Sequence, residues 1–211
     1  MRSFAGSANK TVFRWLLLVM YGFPAERLVA EAAMGSESAR DELLLSLWPV
    51  AYKAARCFGA DNPSAEDAAQ QACLRVALRI TSLKNPGAFQ AWFLKILVRI
   101  LRRDFRRNSS SRNHISYPEA QLFTESMESE VILHLAIAEL PHALRESLLL
   151  IAAFGYSSDE AASILGRPAG TVRYQVYKAR ETLRGVLFSK KSEHEAKNAT
   201  AYSRLKKRGV G

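Results

Sequence analysis

The chain is poor in cysteine and has no long uninterrupted apolar run. Its 211 residues include two cysteines, Cys57 and Cys73, which are too few for a disulfide scaffold or a four-thiolate zinc site. No apolar segment reaches the ~18–20 residues that a bilayer-spanning helix needs. The nearest approach, Val12–Phe23, is interrupted by Arg14 and ends at Pro24. Eleven Gly and seven Pro are too few for a collagen-like or low-complexity chain.

Acidic residues are scarce relative to basic ones. Lys and Arg total 30 while Asp and Glu total 20, so the formal net charge is +10. This excess of cations indicates a polyanionic partner, with nucleic acid favoured over an anionic membrane surface. Hydrophobic residues make up 48% of the chain and charged residues 24%, which are values typical of a folded protein and exclude wholesale disorder.

The sequence also lacks the patterns of an enzyme or a metalloprotein. It contains no Gly-rich phosphate loop and no nucleophile elbow. Its four histidines are scattered, and none has metal-ligand spacing to another His or to a Cys: His114, His134, His142 and His194. Both cysteines have apolar neighbours, so we expect packed thiols. We therefore predict no enzymatic activity, no cofactor and no metal site.

The N-terminal residues 1–37 form an extension of unknown role. Lys10 and Arg14 precede the apolar run Trp15–Tyr21, which is either part of a signal peptide, an extra helix, or a leader before a true start at Met20 or Met34. A membrane contact through Phe13–Phe23 is a further alternative. No clean small-residue cleavage site follows the run at close range. We predict a cytoplasmic protein with no stable membrane insertion.

Charge alternates along the rest of the chain. Residues 95–107 hold six basic residues and one acid, residues 119–146 hold six Glu and one Arg, and residues 167–184 hold five basic residues and one acid. Such blocks predict two cationic modules separated by an acidic connector.

Composition places the boundaries of these modules. Residues 108–127 are rich in Ser and Asn and lack an apolar period, which predicts a flexible linker. Residues 188–211 are Lys-rich with few apolar residues, which predicts a disordered basic tail. The remaining segments, 38–107 and 128–187, are the two predicted modules.

Apolar residues in both modules recur at helical spacing, and no run alternates with period two, so the predicted fold is all-α. Pro49 interrupts the first pattern and predicts either a kink or a helix start near Trp48. Ser64 is a predicted N-cap. The predicted helices are Ser38–Phe58, Ser64–Ile80, Ala88–Arg107, Glu128–Glu139, Pro141–Phe154, Ser157–Leu165 and Pro168–Leu187.

The segment Ala88–Arg107 combines an apolar stripe with a cationic one. Cations recur every three to four residues and suit a row of phosphates: Lys95, Arg99, Arg102, Arg103 and Arg106. The aromatic residues Phe89, Trp92 and Phe93 are either core or stacking surfaces for unpaired bases. An ordinary solvated basic face is the alternative interpretation of the same pattern.

The segment Ser157–Leu187 has the pattern of a helix-turn-helix. Ser157 and Glu160 form a capping box, Gly166 supplies the turn, and Pro168 suits the first turn of a second helix. Arg, Tyr and Lys side chains are predicted to point outward from that second helix, which would lie in a major groove. A plain helical hairpin with solvated cations is the alternative.

These residues resemble a known family. The stretch LPHALRESLLLIAAFGYSSDEAASILGRPAGTVRYQVYKARETLR, residues 140–184, is similar to region four of extracytoplasmic-function sigma factors of bacterial RNA polymerase. Residues 63–77 resemble their region-two polymerase-docking helix, and residues 87–107 resemble their promoter-melting helices. The order of the segments is that of the family.

The resemblance implies two small helical bundles, RNA polymerase core and promoter DNA as partners, and an anti-sigma factor as a further expected partner. It places the polymerase contact on Asp67, Gln70, Gln71 and Leu74. It places the minus-ten contacts and promoter melting on Phe89, Trp92, Lys95, Arg99, Arg102 and Arg103. It places the minus-thirty-five contacts on Arg173, Tyr174, Gln175, Tyr177 and Lys178. A stand-alone helix-turn-helix regulator, with residues 38–107 as a ligand or dimer domain, is the alternative function.

Overall fold

The computed structural model describes residues 22–107, 133 and 135–186, and these residues form helices and turns without any strand. The all-α prediction is confirmed. The predicted linker at 108–127, the tail at 188–211 and residues 1–21 of the extension lie outside the described residues, as does half of the predicted helix Glu128–Glu139.

The first module contains four α-helices: α1 (Glu26–Ala33), α2 (Glu37–Cys57), α3 (Asn62–Arg79) and α4 (Phe89–Arg107). Two 3-10 turns, Ile80–Ser82 and Pro86–Ala88, connect α3 to α4. The side chain of Asn85 accepts a hydrogen bond from the Gly87 amide, at 3.0 Å, and so opens the second turn.

Helix α1 is part of the packed first module. Val29 and Ala32 are each only 1% exposed, and both belong to the hydrophobic core. Ser36 then caps α2, because its Oγ accepts a hydrogen bond from the Ala39 amide. The packed unit therefore begins before residue 38.

Helix α2 continues through Pro49 without a break. The proline is exposed, while Leu43, Leu47 and Val50 around it are buried on the inner face. Packing of that face maintains the helix across a residue that removes one backbone hydrogen bond. The predicted start near Trp48 is wrong, because the helix begins at Glu37.

The N-cap of α3 also differs from the prediction. The carboxylate of Asp61 accepts a hydrogen bond from the Ser64 amide at 2.8 Å, and Pro63 lies in the first turn. Asp61, not Ser64, is therefore the cap, and the helix starts two residues earlier than predicted.

The second module contains a short helical segment at 135–139, then α5 (His142–Ala152), α6 (Ser158–Leu165) and α7 (169–186). The predicted capping box is present, with Ser157 and Glu160 exchanging side-chain-to-backbone hydrogen bonds. Gly166 ends α6 in the left-handed conformation, with φ +61°, which a residue without Cβ adopts at little cost. The pair α6–α7 is thus a helix-turn-helix.

The two modules pack against each other. The rings of Phe58, at the end of α2, and Phe154, after α5, are stacked with centroids 6.1 Å apart. Both rings are buried and belong to one continuous hydrophobic core. Within the part of the chain that the structure describes, no helix is long and apolar enough to cross a membrane.

Candidate nucleic-acid interface

Helix α4 buries one face and presents a cationic face. Phe93, Leu97 and Leu101 have at most 2% exposure, whereas Lys95 and Arg99 are exposed on the outer face. A 1.5 Å rise per residue places these two cations about 6 Å apart along the axis. The helix is therefore held rigidly by its apolar side while its positive charges face solvent.

Trp92 lies at the edge of this cationic face. Its side chain is half-buried, and its ring lies 6.0 Å from that of Phe89. Phe89 is only 4% exposed and also contacts the ring of Phe93. In this structure the Phe89 ring therefore belongs to the core and supports Trp92 from behind, and its predicted contact with the minus-ten strand stays a prediction.

Arg102 and Arg103 point in different directions. Arg103 is exposed and donates a 2.6 Å hydrogen bond to Gln71 Oε1 of α3. Arg102 is partly buried, and its guanidinium donates to the carboxylate of Glu146 and to the carbonyl of Leu165, both in the second module. In this arrangement, the predicted DNA contact Arg102 is engaged by the protein itself.

A cleft of about 530 Å³ runs along the cationic face, between α4 and the end of α6. One wall is basic and the opposite wall is formed by Ile164, Leu165 and Gly166. The basic wall consists of Lys95, Arg99, Arg102, Arg103, Arg106 and Arg107. A surface lined by six cations attracts a polyanionic backbone.

Helix α7 separates its apolar residues from its exposed polar ones. Val172, Val176, Ala179 and Leu183 are buried, as their spacing predicts. Arg173 is exposed, and Tyr174 and Tyr177 are 60% and 62% exposed, which is unusual for large aromatic side chains in the absence of a partner.

Lys178 lies beside these tyrosines. Its Nζ donates a 2.8 Å hydrogen bond to Glu181 and lies 6.0 Å from the centre of the Tyr177 ring. The hydrogen bond to Glu181 raises the pKa of Lys178, so the amine stays protonated. Arg173, Tyr174, Tyr177 and Lys178 are thus brought together on one side of the second helix.

Gln175 differs from its predicted neighbours because its side chain is turned inward. Its Oε1 accepts hydrogen bonds from Ser147 Oγ at 2.7 Å and from Arg167 Nη1 at 3.1 Å. These contacts connect α7 to α5 and to the turn of the helix-turn-helix. Gln175 therefore helps to fix the orientation of α7 relative to α5 and the turn.

The predicted polymerase contacts lie on an outer face of α3. Asp67 and Gln70 are exposed, Gln71 donates a 2.7 Å hydrogen bond to Asp67, and Leu74 is 60% exposed. Leu78, one turn further on, is 72% exposed and extends the apolar part of this face. Sequence reasoning missed Leu78, although its i, i+4 spacing from Leu74 was the available signal.

A second residue that sequence reasoning missed is Glu146 of α5. It is 1% exposed, and its carboxylate contacts Arg102 at 2.7 Å, Arg167 at 2.9 Å and His142 at 3.3 Å. Burial lowers the pKa of Arg167, and the neighbouring Glu146 opposes this effect. This buried carboxylate therefore pairs with cations from both modules and forms a polar contact between them.

The cysteines and acidic residues do not form a reactive centre in the described part of the chain. Burial raises the pKa of Cys57 to about 11 and that of Cys73 to about 11, which disfavours the nucleophilic thiolate. Among residues 22–107 and 135–186 no group of three or more His, Cys, Asp or Glu is placed to hold a metal ion.

Comparisons with known protein families match both modules. The family described as Sigma-70 region 2 matches residues 43–111, and the family described as Sigma-70, region 4 matches residues 130–183. Together these matches span more than half of the chain, in the order of the two structural modules.

Curated relatives and solved structures agree with these matches. The ECF RNA polymerase sigma factor EcfG of Rhodopseudomonas palustris is 28% identical over 162 residues, covering 72% of this chain and 87% of that protein. The ECF RNA polymerase sigma-E factor of Escherichia coli K12 is 26% identical over 182 residues, covering 75% of this chain and 94% of that protein.

Among solved structures, the sigma factor RpoE in complex with the anti-sigma factor NepR from Bartonella quintana matches with a TM-score of 0.56 and 25% identity, covering 72% of this chain and 98% of that one. CnrH in complex with the cytosolic domain of CnrY matches with a TM-score of 0.54 and 24% identity, covering 78% of this chain and 97% of that one. This last likeness concerns the fold alone.

Proposed function

The chain belongs to the extracytoplasmic-function family of RNA polymerase sigma factors, and we propose how its two modules divide the work of promoter recognition. It is a sigma factor that acts in transcription initiation, with core RNA polymerase and promoter DNA as partners. In our proposal, residues 38–107 with the packed helix α1 act as region two, and residues 128–187 act as region four. Residues 108–127 are the linker, and residues 188–211 add a basic tail.

Region two is proposed to hold the opened minus-ten element. The exposed cations Lys95, Arg99 and Arg103 suit phosphates of the non-template strand, and half-buried Trp92 offers a ring for an unpaired base. Removing a base from the duplex costs a few kcal/mol, and stacking returns about 1–3 kcal/mol per base. Stacking and phosphate contacts together support melting without any catalytic step by the chain itself.

Region four is proposed to read the minus-thirty-five element through α7. Arg173, Tyr174, Tyr177 and Lys178 share its exposed side, and the helix-turn-helix leaves that side open to a major groove. Arg173 suits guanine and Lys178 suits a phosphate, while the tyrosines supply contact area. Gln175 orients the helix through Ser147 and Arg167.

Polymerase docking is proposed for the outer face of α3. This face combines the carboxylate of Asp67 with the amides of Gln70 and Gln71 and with the exposed leucines Leu74 and Leu78. Exposed leucines with a polar rim are typical of a protein-docking surface. An anti-sigma factor is proposed as a further partner, because RpoE is solved in complex with one. We propose a cytoplasmic, non-enzymatic subunit.

The observation that carries this proposal is the presence of two separate exposed cationic helix faces, one on α4 and one on α7, in a single chain. The experiment is run-off transcription with bacterial core polymerase on genomic fragments enriched by the reconstituted holoenzyme. We expect transcripts only when the chain is present. A chain that binds a palindrome tightly without polymerase, and never programmes core polymerase, would instead be a stand-alone regulator.

Two variants separate the roles of the modules. Trp92→Ala should reduce permanganate reactivity of unpaired thymines in the minus-ten region while recruitment of polymerase to the fragment persists. Arg173→Ala should reduce recruitment itself, measured by gel shift of the holoenzyme. Glu139→Gln, which changes an exposed residue outside both faces, is the matched control and should behave as wild type.

A further inference from the structure

The boundary between the modules contains a carboxylate that is almost completely buried. Glu146 is 1% exposed, and Arg102 of α4 reaches it with two nitrogens: Nε at 2.9 Å from Oε1 and Nη2 at 2.7 Å from Oε2. Arg167 of the second module contacts the same carboxylate at 2.9 Å. A buried charge is tolerated only where it is paired in this way, so loss of either partner is costly.

Arg102 is held by two elements of the second module at once. Besides Glu146 on α5, its guanidinium donates to the carbonyl of Leu165 at the end of α6. The planar fork of an arginine binds a carboxylate and a phosphate with the same two-pronged geometry. Glu146 therefore occupies, on Arg102, the position that a DNA phosphate would take.

Other contacts support the same closed arrangement. Arg145 Nη1 donates a 3.2 Å hydrogen bond to the carbonyl of Phe58. The rings of Phe105 and His142 pack edge to face, with centroids 4.2 Å apart. A Cβ on Gly59 would lie 1.6 Å from Arg145 Nη1, so the second module approaches the backbone of the first closely at that point. The closed contact is therefore a fitted interface with both polar and apolar parts.

The closed arrangement conflicts with simultaneous contact to two promoter elements. The minus-ten and minus-thirty-five elements are about 25 base pairs apart, or about 85 Å at 3.4 Å per base pair. In the closed form, Arg102 of one module lies within hydrogen-bond distance of the helix-turn-helix of the other. The modules must separate before both can bind their elements at the same time.

We infer that Glu146 is an internal substitute for a DNA phosphate, which holds region four against Arg102 and keeps the free factor in a closed form that excludes promoter DNA. Separation of the modules releases Arg102 to the minus-ten strand. This inference rests on the proposed function for the identity of the DNA contacts, but the closed form itself can be measured without DNA.

The first measurement is the radius of gyration of the full chain by small-angle X-ray scattering. Glu146→Gln keeps the shape of the side chain but removes the charge that pairs with Arg102. We expect an increase on the order of 5 Å as the modules separate. Glu139→Gln removes the same charge from an exposed site in the same module and should leave the radius unchanged.

The second measurement is fluorescence anisotropy with a labelled single-stranded dT20 probe. If nine-tenths of the wild type is closed, opening by Glu146→Gln tightens apparent binding of dT20 about tenfold. Arg102→Gln breaks the same contact from the first module. It should open the chain equally but bind dT20 no tighter than wild type, since it removes a phosphate contact as well.

The outcomes are distinguishable. Unchanged radii for both Glu146→Gln and Arg102→Gln, with the helical circular dichroism signal intact, would overturn the inference. If Glu146→Gln loses its helical circular dichroism signal, the radius of gyration of Arg102→Gln alone tests the inference. If the variants open but wild type transcribes from no enriched fragment, the closed contact stands and the proposed function is refuted. If wild type transcribes but neither variant opens, the proposed function stands and the closed contact is refuted.

Discussion

The salt dependence of single-strand binding tests the cationic face of α4 directly. Five basic side chains of this face are exposed: Lys95, Arg99, Arg103, Arg106 and Arg107. If each neutralises one phosphate of a single strand, log K should fall with log salt at a slope near −3.5, at about −0.7 per contact. Between 50 and 200 mM salt, this slope corresponds to a loss of affinity of about 130-fold.

The perturbation is the double variant Lys95→Ala/Arg99→Ala. It removes two exposed cations from the outer face of α4, so the slope should become about −2.1 and the loss of affinity over the same salt range about 20-fold. The assay is dT20 anisotropy at four or more salt concentrations. The matched control is Arg79→Ala/Lys84→Ala, which removes two exposed cations outside α4. An unchanged slope in the first variant, or an equal change in the control, would refute a specific phosphate-binding face.

Three further predictions concern the fold. Pro49→Ala restores a backbone hydrogen bond at an exposed position inside α2 and should raise stability by about 2–3 kcal/mol, seen as a higher midpoint in urea; an unchanged midpoint would mean that the helix is distorted there. Ser157→Ala removes the cap of α6 and should cost about 1 kcal/mol in the same assay, with Ser158→Ala as the control. Burial raises the pKa of Cys57 to about 11, so its alkylation by iodoacetamide at pH 8 should be slow in the folded protein. The alkylation rate should increase about tenfold per pH unit as the pH approaches that value, and rapid alkylation at pH 8 would contradict the burial.

Local signals in the sequence predicted most of the fold. The helix-turn-helix was recognisable because Ser157, Glu160, Gly166 and Pro168 each have a conformational preference that acts within a few residues. The all-α class followed from apolar spacing, and the family comparisons confirmed the functional class. Helix ends were less accurate: Asp61 competes with Ser64 as a cap, and only the observed hydrogen bond decides between them.

Contacts between distant residues were not predictable from one sequence. Arg102 and Glu146 are separated by 44 positions and by the whole linker, so no spacing rule relates them. Phe89 and Trp92 have the same hydrophobic character in the sequence, and only packing shows that the first ring is interior and the second is half-buried. Pro49 shows the converse, since tertiary packing overrides a local preference.

The inward hydrogen bonds of Gln175 limit what its side chain can offer to a base. An adenine edge is recognised by a side-chain amide that donates and accepts together, through its amino group and its oxygen. In this protein that oxygen already accepts hydrogen bonds from Ser147 and Arg167. Only the amino group is left to donate a hydrogen bond in the groove. Gln175 should therefore favour bases that present acceptor atoms, such as guanine O6 and N7 or thymine O4. Promoters selected by this factor should be enriched in such bases at the position that faces Gln175.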